Sequence, residues 1–204
     1  MGIDIHNLNL LAHAQDLGVH FEHTLAIGRQ DGAAMNRPLR VLLLCDRLDI
    51  AGGVERFVCA LANRLCAEGI DVAVGSVATP RDQIHYPLNA AVRVLAGTGS
   101  PDAAGVDTSG SSGMARAWRL ARAQWRVARA LAELTRSDRP DVIVLNGLTT
   151  ACSVLACDRR YAARTICCDH NHFGARSALW QRLRRWLYPQ VAAVVSLTDR
   201  KSVV

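Results

Sequence analysis

Short apolar runs without polar alternation recur along this chain, and helical patterns separate them. Val41-Leu42-Leu43-Leu44-Cys45, Asp141-Val142-Ile143-Val144-Leu145, Thr165-Ile166-Cys167-Cys168-Asp169 and the stretch from Val191 to Ser196 are of this kind. A strand that is apolar on both sides is buried on both faces, which requires a parallel sheet covered by helices. The run at 39–46 is followed by Val54, Phe57, Val58, Leu61, Ala62 and Leu65, an apolar stripe with helical period that stops at Gly69. A second strand at 71–78 comes at once, and Val92-Arg93-Val94-Leu95 supplies a short third. The remaining pattern predicts helices over 114–136, from Asn146-Gly147 to Cys157, and over 176–188. The fold expected is α/β: a Rossmann-like parallel sheet with helices on both faces.

The 204 residues suit one ordinary domain with a well-buried core. The periodic region occupies residues 37–204. Residues 1–36 read as a poorly ordered leader without chemistry, and Met35 is an alternative start directly ahead of the first strand. Gly97 to Gly113 is rich in Gly, Ser and Asp and reads as a loop. The apolar runs are too short to cross a bilayer, and no basic stretch leads into an apolar run at the N-terminus. A cytoplasmic location is the expectation.

The seven cysteines include no C-x-x-C pair and fall in apolar strands or helices, so they read as reduced, buried hydrophobes. The net charge of +6 favours acidic partners. Nucleic acid is not expected among them, because neither an aromatic RNA motif nor a recognition-helix pattern accompanies the charge.

Candidate site residues fall at the carboxyl ends of the predicted strands, on one edge of the sheet. Gly52 and Gly53 follow the first strand and open the first helix. A glycine pair there lets a ligand approach the backbone and the free N–H groups of the helix start. The turn lacks the G-x-G-x-x-G spacing of a dinucleotide site. Glu55 in the first turn would repel a tightly held phosphate, so sugar hydroxyls, or a phosphate partly offset by Arg56, suit this turn better. His170, Asn171 and His172 follow the 165–169 strand, where an imidazole can hydrogen-bond to a phosphate or a reacting hydroxyl. A metal site is not expected, since no third ligand has suitable spacing. Ser196 ends the last strand. Separately, Trp180, Arg182, Arg184, Arg185 and Trp186 form a compact basic and aromatic segment that suits an anionic membrane surface; core packing by Trp and Leu is the alternative.

Gly52-Gly53-Val54-Glu55-Arg56, then Leu61-Ala62-Asn63-Arg64-Leu65 and Gly69-Ile70-Asp71-Val72, resemble the opening of glycosyltransferase family 4. Asp141-Val142-Ile143, Asp169-His170-Asn171-His172-Phe173 and Ala193-Val194-Val195-Ser196 continue the resemblance in the family's order, over about residues 39–198. The resemblance implies the N-terminal half of a GT-B fold, in which two Rossmann-like domains face each other across a cleft. It implies retaining transfer from a nucleotide diphosphate sugar to a glycan or lipid-linked acceptor, in polysaccharide or cell-envelope biosynthesis, with no cofactor and no bound metal. His170 would face the reacting centre as the catalytic residue. Gly52 and Gly53 would lie near the donor phosphates and the acceptor, and Ser196 at the inner edge close to the domain junction. Arg56, Asn171 and His172 would also bind substrate, and the Trp/Arg helix would lie at the inner face of the membrane. The C-terminal donor domain of the family would follow Ser196, so the expectation is an acceptor-side domain that is inactive alone. A non-catalytic Rossmann-like module that binds a phosphorylated ligand or partner is the other reading.

Overall fold

The computed structural model describes residues 38–97, 113–170 and 178–196. The leader, most of the Gly/Ser-rich loop, and Asn171 and His172 lie outside the described residues. Six strands form one sheet: β1 (Arg40–Leu44), β2 (Asp71–Ser76), β3 (Arg93–Ala96), β4 (Val142–Asn146), β5 (Thr165–Asp169) and β6 (Ala193–Ser196). All pair in parallel, in the order β3-β2-β1-β4-β5-β6. Four α-helices join them: α1 (Gly53–Ala67), α2 (Gly113–Asp138), α3 (Leu148–Cys157) and α4 (Ala178–Leu187). These elements match the expected ones to within two residues at each end, the range over which helix and strand ends fray.

The alternating side chains of the strands divide the core in two. Val41, Leu43, Val72, Val74, Val142, Val144, Ile166 and Cys168 face α1, whose buried stripe is Phe57, Val58, Leu61, Ala62 and Leu65. Leu42, Leu44, Ala73, Ile143, Leu145 and Cys167 face the opposite layer, built from α2, α3 and α4. Strands β1 and β4 are buried along almost their whole length, which is why the sequence shows apolar runs there instead of alternation. Helix α1 ends where Gly69 takes φ +82°. The Gly69 and Ile70 N–H groups then return to the carbonyls of Cys66 and Leu65, at 3.0 and 3.2 Å, and the chain turns directly into β2.

The amino ends of the strands are clamped by charge. Arg40 on β1 and Arg93 on β3 both reach the buried Asp138 at the end of α2, and both also pair with Asp71 on β2. This network fixes the long helix against three neighbouring strands and leaves the carboxyl edge free for other uses. All seven cysteines are free thiols, five of them buried. Burial pushes the thiols of Cys45 and Cys167 well up, Cys59 up to about 11, and Cys152 and Cys168 up to about 12. They pack as small hydrophobes and hold no thiolate near neutral pH. Among the described residues, no helix is long and apolar enough to cross a membrane.

Candidate active site

Chain connections leave β1 and β4 in opposite directions: β1 leads by α1 to β2, and β4 leads by α3 to β5. The two strands are neighbours, so the sheet opens at their carboxyl ends, where ligands bind in folds of this type. Side chains from four segments meet there.

The segment after β1 is pinned before it reaches α1. The Leu48 N–H donates to the Thr79 hydroxyl at 3.3 Å, the His85 N–H donates to the Leu48 carbonyl at 3.0 Å, and Arg47 pairs with Asp49. Gly52 then caps α1 in an extended conformation, with φ −132°. What Gly52 supplies is space: a Cβ added there would sit 2.0 Å from Glu55 Oε2, so the Glu55 side chain, itself buried, folds back over the turn. Gly53 differs, since a Cβ there would meet nothing within 4 Å and its backbone faces open space. Arg56 lies one residue beyond Glu55, half-exposed.

At the end of β4, Asn146 is buried and its Nδ2 donates across the opening to the Leu44 carbonyl of β1 at 3.2 Å. Gly147 takes φ +93°, a conformation open to glycine at little cost, and caps α3. Its N–H donates to the Cys168 carbonyl at 2.8 Å, tying the turn to β5. In the first turn of α3, the Thr150 hydroxyl donates to Asp46 Oδ1 at 2.7 Å. A protein carboxylate therefore stands at both helix starts that flank the β1–β4 opening: Glu55 at α1 and Asp46 at α3.

His170 follows β5. Its Nε2 lies 3.2 Å from Asn146 Oδ1, and its ring meets Phe57 of α1 edge-on, with centroids 4.9 Å apart. The imidazole is thus wedged between the end of β4 and the first turns of α1. The preceding residue, Asp169, points to the opposite side of the sheet. It accepts from the Tyr188 hydroxyl at 2.9 Å, and its other oxygen lies 3.1 Å from a guanidinium nitrogen of Arg184. Ser196 pairs in register with Asp169 and so ends β6 on the same edge, two strands out from β4. The glycine pair, His170 and the Ser196 backbone all lie along one rim.

The basic and aromatic segment expected to face a membrane divides in two. Trp180 and Leu183 pack against the core, Leu187 is buried, and Arg184 turns inward to Asp169 with its guanidinium 5.2 Å from the Tyr188 ring. Arg184 is therefore removed from the exposed group: on α4 it shares the core-facing side with Trp180, four residues before it, and Leu187, three after it. Leu179, Arg182, Arg185 and Trp186 are exposed, and the Arg159 guanidinium lies 3.7 Å from the Trp186 ring centroid. On α2, Trp118 and Trp125 are also exposed.

Asp46, Asn146 and Thr150 did not stand out in the sequence. A short polar residue at the end of a buried strand, as Asn146 is, was the available signal.

Fold and rim together define a Rossmann-like domain whose carboxyl edge opens between β1 and β4. A sequence profile described as Glycosyltransferase Family 4 matches residues 51–200. The chain belongs to glycosyltransferase family 4. No curated protein sequence matches it. Among solved structures, sucrose-phosphate synthase from Thermosynechococcus elongatus is similar, with a TM-score of 0.54 at 11% identity over 76% of this chain and 41% of that one. The calicheamicin glycosyltransferase CalG4 gives a TM-score of 0.45 at 16% identity, over 74% of this chain and 37% of that one. The likeness to the synthase shows the fold, that of one Rossmann-like half of a GT-B enzyme. The chain spans about two fifths of either protein's length.

Burial pulls the His170 pKa down to about 4 from its ordinary 6.5, so the ring is neutral at pH 7. Between those two values the unfolded chain binds a proton at His170 that the folded chain does not, so stability falls as pH drops through this window. Urea unfolding of the native chain will show that loss, and His170→Gln will flatten it. Equal slopes for the two chains between pH 6.5 and 4 would contradict the burial of this ring.

Proposed function

We propose that this domain is the acceptor side of a retaining glycosyltransferase that moves a sugar from a nucleotide diphosphate donor to a hydroxyl of a glycan or lipid-linked acceptor. The reaction class serves polysaccharide or cell-envelope assembly, without a bound metal or other cofactor. Membership in the family supports sugar transfer. The observation that carries the acceptor role is the rim itself: a neutral imidazole, an open glycine backbone at Gly53, and a carboxylate at both helix starts. Helix starts attract anions through their free N–H groups and dipole. Here Glu55 and Asp46 already supply that negative charge, so a diphosphate gains little and a sugar hydroxyl finds both donors and acceptors.

The grip on the leaving diphosphate then falls to a second Rossmann-like lobe facing this rim, where cationic or N–H donors stabilise the charge that develops. In this reading His170 touches the reacting sugar, Gly52, Gly53 and Arg56 border the acceptor, and Asn171, His172 and Ser196 also bind substrate. In a polypeptide carrying this domain with a donor-binding lobe, His170→Ala will lower turnover roughly 10- to 100-fold, the effect of losing a buried hydrogen-bonding contact to substrate. Nucleoside diphosphate release measures that loss, and circular dichroism checks that the fold is retained. Unchanged turnover with intact folding would remove His170 from the reaction.

The exposed side of α4 supports contact with an anionic membrane from the cytoplasmic side. Leu179 and Trp186 lie there beside Arg182 and Arg185, and α2 adds exposed Trp118 and Trp125 in the same helical layer. Tryptophan with arginine suits the bilayer interface, and the attraction weakens with salt. The chain will sediment with phosphatidylglycerol vesicles at low salt and be released at high salt. Failure to sediment at low salt would contradict this surface.

A further inference from the structure

The amide of Asn146 has its orientation fixed by its neighbours. Nδ2 stands 3.2 Å from the Leu44 carbonyl and 3.5 Å from the Val144 carbonyl. Turning the amide over would set Oδ1 against two carbonyl oxygens inside a buried site, with no proton between them. Oδ1 is therefore the atom presented to His170, and Oδ1 can only accept. The ring nitrogen facing it, Nε2 at 3.2 Å, must then carry the proton.

We propose that Asn146 is a positioning residue that holds His170 in the tautomer with Nε2 protonated, leaving Nδ1 as the ring's acceptor, so that His170 receives a hydrogen bond from a ligand hydroxyl and cannot donate one to a phosphate. A neutral imidazole has one N–H and one lone pair. With the N–H committed to Asn146, what remains repels the acceptor-only oxygens of a phosphate and suits the O–H of a sugar. The orientation is transmitted from the sheet: the Leu44 carbonyl at the end of β1 sets the amide of β4, which sets the ring after β5. Phe57 closes the ring's edge from α1. The tautomer stands on geometry alone; that its lone pair serves a sugar acceptor rests on the function proposed above.

Nitrogen-15 correlation spectra of the imidazole, taken on the chain at neutral pH and assigned with His170→Gln, test this. The expected result is a proton bound to Nε2 that exchanges slowly with water, with Nδ1 bare. In Asn146→Leu, which has the same branching but no acceptor, that proton will exchange about tenfold faster, as the loss of one buried hydrogen bond predicts. Dimethyl phosphate, a phosphate diester without any P–OH, will leave the His170 resonances unmoved when added to the native chain. A proton on Nδ1, an Nε2 proton that exchanges equally fast in both chains, or a His170 pKa raised by dimethyl phosphate would each overturn the proposal. The native-chain spectrum decides by itself if the leucine variant does not fold. A bound Nε2 proton together with full turnover in His170→Ala would leave the positioning intact and remove the catalytic reading instead.

Discussion

Every feature of the rim depends on the divergence of the chain at β1 and β4. Two adjacent parallel strands whose connections leave in opposite directions cannot have their carboxyl ends covered by their own crossovers. Main-chain groups at such an opening face the cost of standing unpaired at a buried edge. Asn146 meets that cost by donating to the Leu44 carbonyl, and Gly147 meets it by donating to the Cys168 carbonyl. The opening is therefore polar and braced by hydrogen bonds to the strand ends. At the other end of β1, the Arg40, Arg93, Asp71 and Asp138 network ties that strand to β2, β3 and the end of α2.

The electrostatics of this edge differ from those of a nucleotide-binding Rossmann edge. There a glycine-rich turn leaves the helix start empty for a pyrophosphate. In this chain Gly52 makes room for the Glu55 side chain, and the Thr150 hydroxyl donates a hydrogen bond to Asp46. The glycine pair so divides its labour: one residue admits a carboxylate, the next leaves a bare backbone facing open space. Under the proposed function, a lobe built this way holds the hydroxyl-bearing acceptor and leaves the anionic donor to other groups.

The strands and helices were legible in the sequence because burial on both faces writes itself as apolar runs, and one-sided burial as a helical stripe. Gly52, Gly53 and His170 were legible as site candidates because each follows such a run directly. The partnerships that give them meaning were not. Asp46 and Thr150 lie 104 residues apart, and Asn146 lies 102 from Leu44; only the closed sheet order brings them together. Arg184 misled for a related reason. Its helix shows three arginines with similar local surroundings, and the one that turns inward is selected by Asp169 on a strand and Tyr188 beyond the helix end. Local pattern gives the face of a helix, but a buried ion pair can recruit a charged residue to the apolar side.

The central claim is that the β1–β4 opening takes up sugar hydroxyls. Amide chemical-shift changes on titrating the chain with a panel of oligosaccharides test it most directly. The account predicts that the shifted residues cluster at Asp46, Gly52–Glu55, Asn146–Thr150 and His170. Shifts gathered instead around Arg40, Asp71 and Asp138, at the opposite edge of the sheet, would contradict it.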